Sequence, residues 1–165
     1  MQAISRRSML VLSAAVASVL APAQALASAA LEQALAAYEA GQMARALQAF
    51  EALATQGVPA AQYNLAVMHL RGEAPRPDLD LARRWLTHAA KGGFVTAQFM
   101  LAQALETGRF GRPDVRSAQP WYRRAAEAGS VEAQVAMGTA HYLGRGERKD
   151  PNEAARWFRE AAKGG

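Results

Sequence analysis

Apolar residues in this chain recur at helical rather than alternating spacing, so its elements read as helices. Ala61, Leu65 and His69, with Ala66 beside them, fall on one face of a segment that Gly72 brings to a stop. The stretch Gly72-Glu73-Ala74-Pro75-Arg76-Pro77 follows, and its two prolines forbid a continued helix. Asp78 then stands where its carboxylate can accept hydrogen bonds from the free amides that open a second helix. On that second helix Trp85, Leu86, Ala89 and Ala90 lie 3, 4, 7 and 8 residues after Ala82, which makes one apolar stripe.

The same helix pair is written three times at a period of 36 residues, without insertion or deletion. Ala61-Gln62 recurs as Ala97-Gln98 and Ala133-Gln134, Gly72 as Gly108 and Gly144, and Asp78 as Asp114 and Asp150. Trp85 recurs as Trp121 and Trp157, Ala89-Ala90 as Ala125-Ala126 and Ala161-Ala162, and Gly93 as Gly129 and Gly165. Asp150, Pro151 and Glu153 predict a capping box at the last second helix. Gly92-Gly93, Gly129 and Gly164-Gly165 fall where a helix end calls for a left-handed residue. Pro120 breaks the pattern inside a second helix, where the other units carry Arg84 and Arg156, and predicts a helix that starts late or kinks.

No unit can bury its alanine-and-tryptophan stripe alone. Burying one indole removes ~200 Å² from water, worth at most ~5 kcal/mol, and only a neighbouring pair can supply the cover. The chain is therefore expected to be all-α, a right-handed α-solenoid of stacked antiparallel helix pairs. The last second helix reaches Gly165 with nothing after it to cover Trp157 and Ala161. Three explanations stand open for that end: a truncated longer array, self-association through it, or tolerated exposure.

The N-terminus reads as an export signal. Arg6 and Arg7 precede the apolar run Met9–Leu20, and no charged residue occurs from Ser8 to Leu31. Ala23-Gln24-Ala25 and Ala25-Leu26-Ala27 compete as cleavage sites, so the mature chain is expected to begin near Leu26 or Ser28, in the periplasm or outside a bacterial cell. The run Ser5-Arg6-Arg7-Ser8-Met9-Leu10 also resembles a twin-arginine motif, leaving the export route open. An uncleaved membrane anchor is the competing reading, and Pro22 and Gln24 make it a poor span.

The string Ala133-Gln134, Gly138, Tyr142, Gly144, Gly146, Asp150, Ala154, Trp157-Phe158, Ala161-Ala162 and Gly165 resembles the Sel-1-like repeat, a relative of the tetratricopeptide repeat. The resemblance covers three units, residues 58–93, 94–129 and 130–165. The earlier two depart from it in Ala66 and Ala102, which replace the glycine, and in lacking a counterpart of Gly146. Residues 1–27 are assigned to the signal. Residues 28–57, with Leu35, Tyr38, Gly41, Ala46, Phe50 and Leu53, read as an N-terminal pair more like a tetratricopeptide repeat.

Composition narrows the chemistry. The 165 residues are 51% hydrophobic and 20% charged, as in a foldable globular protein. The formal charge of +5 falls to +3 once Arg6 and Arg7 are removed, and so small and scattered an excess speaks against nucleic-acid binding. With no cysteine there is no disulfide framework, thiolate metal site, cysteine nucleophile or lipidated cysteine. His69, His88 and His141 match no metal or catalytic spacing, and Asp78, Asp114 and Asp150 read as caps, so no catalytic, metal or cofactor residue is assigned. Arg83-Arg84, Arg123-Arg124, Arg156 and Arg159 read mostly as a solvated face, with an anionic lipid surface or polymer as the other reading.

The function expected is that of a binding scaffold holding a peptide or protein segment in the cell envelope, with first helices lining a concave groove. Groove candidates are Tyr63, Asn64, Val67 and Arg71 in one unit, Phe99, Met100 and Gln103 in the next, and Val135, Thr139 and Tyr142 in the last. The resemblance implies adaptor roles in assembling complexes. The competing class is a periplasmic cell-wall enzyme or a penicillin-binding, β-lactamase-like protein, as described for cysteine-rich members of that family, whose cysteines are missing here.

Overall fold

The computed structural model describes residues 25–164. The leader's arginine pair and apolar run, expected within residues 1–24, lie outside the described residues, as does Gly165. Eight helices and no strand occur among the described residues. They are α1 (residues 25–39), α2 (Met43–Thr55), α3 (Pro59–Arg71), α4 (Leu79–Lys91), α5 (Val95–Thr107), α6 (Val115–Glu127), α7 (Val131–Leu143) and α8 (Pro151–Gly164). From α2 to α8 the substantial packing joins helices consecutive in the chain, strongest within the pairs α3–α4, α5–α6 and α7–α8. The molecule is an all-α repeat solenoid.

Local chemistry sets the boundaries. Gly72, Gly108 and Gly144 end the first helices at φ of 72° to 75°, a left-handed conformation that side-chain-bearing residues avoid. Asp78 accepts from the Leu81 amide at 2.8 Å, Asp114 from Ser117 at 3.0 Å, and Asp150 from Asn152 and Glu153 at 2.9 and 3.1 Å. The capping box expected at Asp150 is only half formed. The Glu153 carboxylate turns instead to Arg156, whose Nη2 donates to it at 2.7 Å, while the Asp150 amide donates to the His141 carbonyl at 2.9 Å. A full positive charge three residues on outbids a neutral amide that already has a partner.

Each seam between units carries the same polar tie. Gln62, Gln98 and Gln134 are buried, and their Nε2 atoms donate to the carbonyls of Ala54, Ala90 and Ala126, each at 3.1 Å. Each bond joins the first turn of a first helix to the end of the second helix before it. Around these ties Ala82, Ala89, Ala97, Ala118, Ala125 and Ala133 are fully enclosed, so the backbones approach closely.

Two packing expectations need correction. Trp85 and Trp121 are only half-buried, and the neighbouring Leu86 (fully buried) and Tyr122 take the enclosed seats. In the last pair the order reverses: Trp157 is 3% exposed and Phe158 is 39% exposed. Trp157 and Ala161, expected to stand uncovered, are thus both buried; Trp157 packs in one cluster with Ala126, Ala133 and Met137. The Phe158 ring lies flush on Gly138, where a Cβ would come within 2.6 Å of it. Nor does Pro120 delay its helix, because α6 begins at Val115, in register with Leu79 and Pro151. The proline faces solvent, where water can serve the carbonyl it leaves unpaired.

Candidate functional site

The first helices α3 and α5 run side by side in the stack and leave between them a groove of about 450 Å³. Its floor is apolar: Val67 and Leu70 from α3, Met100 and Ala104 from α5. The rim is polar and exposed, with Arg71 at the end of α3, Gln103 and Thr107 on α5, and Arg109 just beyond it. Thr107 Oγ1 donates to the Gln103 backbone carbonyl at 2.8 Å, and the Gln103 side chain is exposed at the rim. Such an arrangement suits an extended segment that places an apolar side chain on the floor and polar groups along the rim.

Of the ten groove residues expected from the sequence, the structure brings together Val67, Arg71, Met100 and Gln103. Tyr63 and Phe99 are half-buried in seams, Tyr63 against Phe94 with ring centroids 5.1 Å apart and Phe99 against Tyr122 at 5.8 Å. Burial holds the Tyr63 hydroxyl above its ordinary pKa. Asn64 donates back to the Ala60 carbonyl of its own helix at 2.8 Å. On α7, Val135 and Tyr142 are exposed, by 43% and 60%, and Thr139 donates to the Val135 carbonyl at 2.9 Å.

A second recurring contact bridges the first helices from below. The residue following each helix-ending glycine, at positions 73, 109 and 145, reaches the preceding first helix. Glu73 accepts from Tyr38 Oη at 2.8 Å, Arg109 Nη2 donates to the Leu70 carbonyl at 3.0 Å, and Arg145 Nη2 lies 3.4 Å from Glu106. Glu106 also accepts from Tyr122 Oη at 2.7 Å, and burial together with that carboxylate raises the Tyr122 pKa far above its ordinary value. Leu70, Thr107 and Arg109 were not among the sequence candidates. The period could have found Arg109, by aligning 73, 109 and 145, but the changing residue type there hides the shared role.

Among the described residues no cluster of three or more acidic or histidine side chains could hold a metal ion. His69 and His141 are buried, and His88 is exposed beside Trp85 with ring centroids 5.8 Å apart. His69 Nδ1 accepts from the Asp78 amide at 3.3 Å, and His141 Nδ1 lies 3.3 Å from the Arg148 carbonyl, so both rings brace the loop between paired helices. No helix among the described residues is long and apolar enough to cross a membrane.

A family model described as Sel1 repeat matches residues 59–94, 95–130 and 131–165. The chain is similar to a Sel1 repeat protein from Oxalobacter formigenes, with 31% identity and a TM-score of 0.76 over 81% of this chain and 55% of that one. It is also similar to c5321, a protective antigen present in uropathogenic Escherichia coli strains and displaying an SLR fold, with 30% identity and a TM-score of 0.78 over 84% of this chain and 31% of that one. The chain thus spans about half of the first protein and about a third of the second. Cysteine rich protein B of Helicobacter pylori shares the fold, with 19% identity and a TM-score of 0.56 over 72% of this chain and 90% of that one. No curated protein matches the chain.

Proposed function

The chain belongs to the Sel1 repeat family, and from that premise we propose that it is an exported, non-enzymatic scaffold that holds a protein or peptide segment in the groove between α3 and α5. Sel1 repeat proteins are generally protein–protein interaction scaffolds and typically lack enzymatic activity. The observation that carries the reading is the groove itself, an apolar floor framed by donors and acceptors with free bonding capacity. Export to the bacterial envelope rests on the charged, apolar and small-residue order of residues 1–27, and residues 28–57 serve as the stack's first pair.

Site-specific photo-crosslinking tests the groove. A photoreactive residue at Met100 should capture a partner from envelope extract, whereas one at Arg159, exposed on α8, should not. Equal capture from both positions would remove the groove from the function. For export, mass spectrometry of the protein from its native host should find the chain beginning at Leu26 or Ser28; a retained Met1 defeats it.

A further inference from the structure

The three bridging positions differ in how their charge is answered. Glu73 is answered by the Tyr38 hydroxyl and by Arg71, whose Nη1 lies 4.0 Å from it; Arg145 is answered by Glu106 at 3.4 Å. Arg109 alone of the three meets a neutral group, because the helix position that carries Glu106 one unit later carries Leu70 here, and only its carbonyl is offered. Among the described residues no carboxylate lies within 4.0 Å of Arg109. The groove lining contains two arginines and no acidic residue. Arg109 is also pre-positioned: one N–H is spent on the Leu70 carbonyl, which fixes the guanidinium at the rim with its other donors free.

We infer that the groove is selective for an acidic extended peptide, seating an aliphatic side chain on its floor and pairing an adjacent Asp or Glu carboxylate with Arg109. The inference deepens the scaffold reading and rests on the same groove. The occupant is an internal acidic residue; a free C-terminal carboxylate is the other source of the same charge, and the test separates the two. A carboxylate that meets a guanidinium already held in place forms a charge-assisted pair, stronger than the same contact between neutral groups.

The test is fluorescence anisotropy with short N-acetylated, C-amidated peptides that alternate leucine with glutamate, glutamine or lysine. The glutamate peptide should bind about tenfold more tightly than the glutamine peptide, and the lysine peptide weakest. Arg109→Gln should erase the glutamate advantage, so that this variant binds the glutamate and glutamine peptides equally, and Arg109→Lys should restore part of it. Rising salt should weaken the glutamate peptide alone. Equal binding of glutamate and glutamine peptides, both lost in Met100→Glu, would overturn the charge selectivity and leave the groove standing. Binding that appears only when the peptide carries a free C-terminal carboxylate would overturn the internal-residue assignment. No binding of any peptide would overturn selectivity and groove together.

Discussion

Gln98 ties two units with one bond while its Oε1 stays buried with no protein hydrogen-bond partner, so within the protein its amide is half satisfied. Gln98→Ala removes the bond and opens a cavity, and should cost about 2 kcal/mol in urea unfolding. Gln98→Leu fills the volume and deletes the orphaned oxygen, so it should cost clearly less; equal losses would mean the tie contributes only bulk. The caps act through pH. The Leu81 amide holds Asp78 below its ordinary 3.8, and the Ser117 hydroxyl and amide hold Asp114 below the same value. Both pKa values are depressed on folding, so their contribution is complete above the unfolded value and fades as pH falls through the folded one. Stability should drop below about pH 4, and Asp78→Asn with Asp114→Asn should flatten that drop while keeping an acceptor at each cap. The caps were legible in the sequence because donor and acceptor lie three residues apart. The glutamine tie was visible as a repeated letter but not as a bond, because its acceptor lies across a helix break and only packing brings the two together.

Helix α6 keeps its full length through Pro120 because the pattern around it, from the Asp114 cap to the enclosed Ala118, Tyr122 and Ala125, outweighs one missing donor. Both Pro120 and Arg116, whose carbonyl loses its partner, are exposed. Pro120→Arg should therefore stabilise the protein by about 1–3 kcal/mol, read as a higher denaturation midpoint. No gain would mean that α6 is distorted there for a reason other than the proline ring. Helix existence, order and boundaries were legible from period and punctuation. Which side chain of a Trp-Leu, Trp-Tyr or Trp-Phe pair turns inward was not, since adjacent helix positions are 100° apart and the angle to the next helix decides between them. The groove shows the same limit: Val67 and Met100 face it, while Tyr63 and Phe99, an equally plausible face by spacing, are drawn into seams by Phe94 and Tyr122.

The whole molecule is a row of nearest-neighbour contacts, so damage should spread along the chain rather than through a common core. Leu86, fully enclosed between units, is the place to look: Leu86→Ala should cost about 2–5 kcal/mol. Amide exchange should speed up most in α3 to α5 and least in α7 and α8. A uniform increase would indicate one cooperative block instead. The repeated seam also has a bearing on ancestry. Phe94 and Ser130 enter their helices with nearly the same backbone, φ −71° and ψ 107° against φ −68° and ψ 115°, and Gln98 and Gln134 present the same amide one turn later. Excising residues 95–130 would bring Gln134 to the Ala90 carbonyl with no new chemistry required. Gene-level deletion or duplication can therefore change the height of this stack by whole storeys, whereas a cut that is not a multiple of 36 residues leaves an amide and a carbonyl facing the wrong floor.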